Sequence, residues 1–178
     1  MVLSVLATMA CLSVAAEKAA AATAAEIDAK ADLALKQLYA EVPVAERLAE
    51  DAVGVLVFPS IIKGGLFVGG QYGEGVLLKK GTPAGYYNIA SLSYGLQIGA
   101  QGFSQVLMFM TDAALGYLAE SKGFEIGADA TVALADKGVG GDLSTTTLQS
   151  PIVAFVFGQE GLMGGISIEG TKITEIDK

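Results

Sequence analysis

The sequence predicts an α+β fold in which N-terminal helices pack on a strongly curved, mainly antiparallel sheet of barrel- or sandwich-like form. Three observations predict it. Residues 17–41 are alanine-rich with apolar positions at helical spacing, and from residue 54 onward short apolar runs are cut by glycine and proline. No alternation of strands with long helices occurs, so a doubly wound parallel sheet is excluded. At 178 residues the chain has room for one domain with a core of its own. Residues 17–178 are therefore read as a single domain, helical over 17–52 and mostly strands over 53–178.

Residues 1–16, MVLSVLATMACLSVAA, are apolar and uncharged and run directly into Glu17 and Lys18, the pattern of an export signal. Two processing routes are open. Val14 and Ala16 are small residues placed for cleavage before Glu17, whereas Ala10-Cys11 matches the end of a lipoprotein box, with Thr8 three residues before the cysteine. On the second route Cys11 is the lipid attachment site. Either route sends the chain out of the cytoplasm, to a periplasmic or outer-membrane-anchored location. A signal normally begins with Lys or Arg, so a start upstream of Met1 is expected.

In the first helix Ile27, Ala31, Ala34, Leu35, Leu38 and Val42 form one narrow apolar stripe, and alanine has the highest helix propensity of all residues. Pro43 is expected to stop it. A second helix is expected over 45–52, with Val44 and Leu48 inward and Glu46, Glu50 and Asp51 outward. Lys18, Lys30 and Lys36 are balanced by Glu26, Asp28 and Asp32, so this is not the basic amphipathic helix that seeks anionic lipid. It is expected to dock on its own domain.

The strand region begins with candidates at 55–58, 65–69 and 75–78, separated by expected turns at Pro59-Ser60 and Gln71-Tyr72-Gly73. A strand at 86–90 follows. In 92–101 Leu96, Ile98 and Ala100 alternate with Gln97, Gly99 and Gln101, which predicts a strand with the glutamines facing outward. Residues 106–110 are apolar on both faces and belong at the centre of a sheet. Thr111 or Asp112 caps a short helix through Ser121, a one-sided strand is expected over 124–132, and 135–150 reads as a loop. Strands at 152–157 and 162–169 close the sheet.

Eleven Lys+Arg against 19 Asp+Glu give a net charge of -8, which repels nucleic acid. The absence of histidine removes the commonest general base and metal ligand, and a single cysteine excludes an internal disulfide or a thiolate zinc site. No Gly-Lys-Ser/Thr occurs, and Gly70, Gly73 and Gly75 reverse the dinucleotide spacing, so no nucleotide cofactor is expected. Asp136 and Asp142 lack the acidic ladder of a calcium loop, so no metal is expected. Carboxylate chemistry would need two of Glu74, Glu125, Asp129 and Glu169 to converge. Residues 81–111 carry no charge, which implies burial in the domain or a contact between copies.

Residues 52–59 (AVGVLVFP), 63–75 (KGGLFVGGQYGEG), 95–101 (GLQIGAQ), 127–133 (GADATVA) and 161–170 (GLMGGISIEG) resemble, in order and spacing, the SYLF domain family, also known as the Las17-binding actin-regulator domain, in its bacterial secreted branch. The chain departs from the family pattern at Tyr86-Tyr87-Asn88 and Gly140-Gly141. Eukaryotic members are associated with phosphoinositides, membranes and actin. For an exported bacterial chain the resemblance implies only a generic lipid or envelope association.

The expectation is thus a non-enzymatic, envelope-associated module that binds phospholipid or another amphiphile, or else a structural module that contacts another envelope protein. Lys63, Lys79 and Lys80 are the cations placed to meet phosphate headgroups at the rim of the sheet, or to guard its edge strands against aggregation.

Overall fold

The computed structural model describes residues 22–65, 68–94, 99–120, 124–126, 132–135, 149–161 and 170–178. The chain runs α1 (Ala24–Glu41), α2 (Pro43–Asp51), β1 (Gly54–Gly65), β2 (Val68–Lys79), β3 (Thr82–Tyr94), β4 (Gly99–Phe109), α3 (Asp112–Glu120), β5 (Phe124–Ile126), β6 (Val132–Ala135), β7 (Ile152–Gly161) and β8 (Thr171–Ile176). Cys11, with the expected export signal, lies outside the described residues, as do Asp129, Asp136, Asp142 and Glu169.

Thr23 starts α1 through a capping box. Its hydroxyl accepts from Glu26 N–H at 3.3 Å, and the Glu26 carboxylate accepts from Thr23 N–H at 2.8 Å, which satisfies two of the donors a helix start leaves unpaired. Ile27, Ala31, Ala34 and Leu38 are the buried stripe. Pro43 is the first residue of α2 and not merely the end of α1, because a proline at this position has no N–H to waste. The inward residues of α2 are Ala45 and Leu48, with Val44 only half-buried. At α3 Thr111 is the cap, accepting from Ala114 N–H at 3.2 Å.

The strands form one sheet in the order β5-β8-β3-β2-β1-β4-β7-β6, antiparallel throughout except for the parallel β6–β7 pair. The strand expected over 124–132 is instead two strands at opposite edges of the sheet. That placement bends the sheet. Six residue steps from Ile126 to Val132 reach at most about 21 Å, whereas the edges of a flat eight-stranded sheet lie about 34 Å apart. No ladder joins β5 to β6 among the described residues, so the sheet is curled and open rather than a closed barrel.

The expected turns at Pro59-Ser60 and Gln71-Gly73 are corrected. Both lie inside twelve-residue strands, and the β2–β3 turn falls at Lys80-Gly81. Pro59 and Ser60 form a bulge in β1, at which the register to both β2 and β4 shifts. Ser104 Oγ donates to Pro59 O at 2.8 Å. Gly73 and Gly75 of β2 lie under this bulge. A Cβ on Gly75 would fall 2.6 Å from Phe58 Cδ1, and one on Gly73 would fall 2.8 Å from Ile61 Cγ1, so both glycines serve close approach and not a turn.

Two cores lie on the two faces of the sheet. On the outer face α1 and α2 cover Val55, Val57, Val76, Val106, Met108, Val153, Phe155 and Phe157. Inside the curl Leu56, Phe58, Ile61, Leu77, Ile89, Phe103, Leu107, Phe109 and Ile152 pack together, with Ala114, Leu115 and Leu118 of α3 among them. Val106 to Phe109 are fully buried, as a central strand requires.

Candidate functional site

The bulge decides where Lys63 goes. Before it, even-numbered Leu56 and Phe58 face the inner core. The extra residue moves the inward set to odd numbers, so Ile61 and then Lys63 follow. Lys63 is 8% exposed and sits on a central strand, opposite Gln71 of β2 and Gln101 of β4. This corrects its expected place at a rim or edge. Gln101, expected to face outward, is buried, while its neighbour Ala100 is exposed.

A polar layer therefore crosses the inner face. Gln71 Nε2 donates to Thr171 Oγ1 of β8 at 3.1 Å, reaching over the intervening β3. One step deeper, between Phe103 and Leu107, lies Gln105, which is 1% exposed. Among the described residues neither its Oε1 nor its Nε2 has a hydrogen-bond partner, and Gln101 Oε1 has none either. Nothing in the sequence distinguished these glutamines from surface ones.

The second feature is a groove of about 480 Å³ on the other face, at the opposite end of β2. Leu35 and Tyr39 of α1, Ala49 and Ala52 at α2, Val55 of β1 and Leu78 of β2 form its apolar walls. Glu46 and Glu50 of α2 and Lys80 with Gly81 of the β2–β3 turn complete it. Burial, and after it the charge of Glu46, holds the Tyr39 phenol above its ordinary value, so it remains a neutral O–H donor at physiological pH. Lys80 has φ 51 and Gly81 φ 76, the left-handed pair that a two-residue hairpin turn requires between Lys79 and Thr82.

The family model described as Las17-binding protein actin regulator (Ysc84) matches residues 90–178, half of the chain. The chain belongs to this family. The match takes in the end of β3 and everything from β4 to β8, so in this member of the Ysc84 family the groove between the helices and the β1–β2 pair lies ahead of the matched span. None of the curated proteins compared with the chain matches it.

The three lysines singled out in the sequence are not brought together in this member of the Ysc84 family. Lys63 is inside the curl, while Lys79 lies eight residues beyond its partner Gln71, about 27 Å along β2. Lys79 and Lys80 are exposed at the hairpin end. Neither guards an edge, because β2 runs between β1 and β3. Lys80 lines the groove. Glu74 does not pair with a second carboxylate: it accepts hydrogen bonds from Tyr72, Lys178 and Ala22 N–H. Among the described residues no group of three or more potential metal ligands assembles. The groove residues missed in the sequence, Tyr39, Glu46 and Glu50, carry no motif, since only the fold places α2 against the β2–β3 turn.

Proposed function

We propose that the protein is a non-enzymatic binding module of the cell envelope that holds a phospholipid or another amphiphile. The groove carries this reading. Its volume lies within the range of small-ligand sites, its walls are apolar, and among the described residues charged groups stand at Glu46, Glu50 and Lys80. An acyl or other apolar segment would lie along Leu35, Val55 and Leu78 with its polar end at Lys80. Membership of a family described by the binding of a partner agrees with a binding module.

The test is binding of a fluorescent phospholipid to the wild type and to Ala49→Phe, which fills the groove without removing a core side chain. Saturable binding lost in the variant supports the reading, and no binding by the wild type ends it. The envelope location is tested separately by intact mass of the protein from its native membrane, which distinguishes acylated Cys11 from a chain beginning at Glu17.

A second reading, contact with another envelope protein, is favoured by a different surface. Ile62 and Tyr72 are register partners on the outer face of β1 and β2, and Leu92 of β3 lies over the adjoining Gly70. They are 65%, 51% and 74% exposed, an apolar patch beyond the reach of the helices. Co-purification of one defined envelope protein, lost in Ile62→Lys and in Leu92→Lys, with no lipid bound, would favour this reading over the first.

A further inference from the structure

We infer that the groove between α1, α2 and the β2–β3 turn selects a zwitterionic headgroup of the phosphoethanolamine type, with Lys80 on the phosphodiester and Glu46 and Glu50 on the primary ammonium. The inference rests on the amphiphile reading above and names the headgroup.

Among the described residues the groove is lined by one cation and two carboxylates, a charge pattern complementary to a phosphate next to an ammonium. An anionic headgroup would satisfy Lys80 and face two uncompensated carboxylates. Glu46 and Glu50 stand four residues apart on α2, so both project from the same edge of the helix. Like charges at that spacing weaken a helix unless a cation lies between them. Among the described residues, Glu46, Glu50 and Lys80 form no ion pair or hydrogen bond with one another or with other side chains. The carboxylate pair thus suits a cation, and Lys80 beside it suits an anion.

A primary ammonium fits that seat better than a quaternary one. It has N–H donors for two carboxylates, whereas trimethylammonium has none and is held by several aromatic faces. Among the described residues Tyr39 is the one aromatic side chain in the groove. The net charge of -8 acts in the same direction by disfavouring approach to an anionic surface.

The test is flotation of the full chain with three kinds of vesicle: phosphatidylcholine alone, phosphatidylcholine with phosphatidylethanolamine, and phosphatidylcholine with phosphatidylglycerol. The apolar residues 1–16 are present in every sample and contribute equally to the two neutral compositions. Two partly exposed ion pairs predict about fivefold tighter binding to vesicles containing phosphatidylethanolamine than to phosphatidylcholine alone. Phosphatidylglycerol gives no gain. The double variant Glu46→Gln/Glu50→Gln, checked for an unchanged melting curve, loses the preference for phosphatidylethanolamine but still binds, and Lys80→Gln weakens binding to all three. Equal binding to the two neutral compositions, a preference for phosphatidylglycerol, or a preference that survives the double variant overturns the headgroup assignment alone. No flotation with any vesicle overturns the amphiphile reading with it.

Discussion

Lys178 Nζ stands 3.1 Å from Glu74 Oε2, and it also donates to Ala22 O at 2.8 Å while Ala22 N–H donates to the same carboxylate oxygen at 3.1 Å. One carboxylate on β2 thereby fastens the entry to α1 and the segment that follows β8. Tyr72 Oη donates to the other oxygen at 3.0 Å. Burial pushes the Glu74 carboxyl up, but the hydrogen bonds from Lys178 and Tyr72, the Lys178 charge and the Ala22 N–H outweigh it, and the group lies below its ordinary value. Together with the Tyr86 hydroxyl on Asp28, this contact ties the first half of α1 to β2 and β3.

The sign of the pH effect follows. A carboxylate depressed in the folded state contributes stability that is present above its unfolded value and is lost as pH falls through the folded one. The melting temperature is expected to fall more steeply between about pH 5 and about pH 3 in the wild type than in Glu74→Gln. Lys178→Ala should cost about 0.2–1 kcal/mol at neutral pH, and less in concentrated salt. Parallel acid curves for the wild type and Glu74→Gln would show that the contact is not coupled to folding.

Gln105 gives a prediction of opposite sign. Both polar atoms of its amide are buried without partners among the described residues, and an unsatisfied buried group carries a desolvation cost of about 1–3 kcal/mol. Gln105→Met keeps the length of the side chain and removes that cost. Its urea midpoint is expected to rise by the equivalent of about 1–2 kcal/mol, whereas Gln105→Ala should lower it by leaving a cavity. A destabilised methionine variant would mean that the amide is paired by a water inside the curl.

The glycines of the sheet divide into two kinds. Gly75→Ala forces a methyl group against the Phe58 ring and the Val57 carbonyl, and should cost about 1–3 kcal/mol or more, because backbone and a buried ring must move. Gly102 in β4 has no atom of the described residues within 4 Å of the corresponding position, so Gly102→Ala should change stability by no more than about 0.5 kcal/mol. Chemical denaturation of the two variants side by side checks the assignment of Gly75 to close packing under the bulge.

The local and periodic features of the fold were legible in the sequence. The stripe from Ile27 to Leu38 announces itself at helical spacing, Thr111 as a cap, and Val106 to Phe109 as a strand buried on both faces. Thr23 and Glu26 have the capping-box spacing, whereas the expected helical region begins at residue 17. The β1 bulge was hidden, because Pro59-Ser60 has the same composition in a bulge as in a turn, and that one residue of slip sends Lys63 to the opposite face. The site was less legible than the fold. Glu46 and Glu50 look like any solvated helix face until the hairpin sets Lys80 beside them, and that adjacency between residues thirty positions apart has no local signature.

Lys80 links the turn to the groove. A lysine at φ 51 occupies the left-handed region, which costs a residue other than glycine or asparagine about 1–2 kcal/mol. Asparagine followed by glycine is the favoured pair for this two-residue turn, and Gly81 already supplies the second half. Lys80→Asn should therefore raise the midpoint of unfolding by about 0.5–1 kcal/mol while removing the cation from the groove, so that the more stable protein binds phospholipid vesicles less well. If Lys80 had no part in binding, this substitution would raise stability and leave vesicle binding unchanged. Opposite movement of stability and vesicle binding is the result expected of a residue whose strain serves a ligand, and a variant that gains stability with binding intact would remove Lys80 from the site.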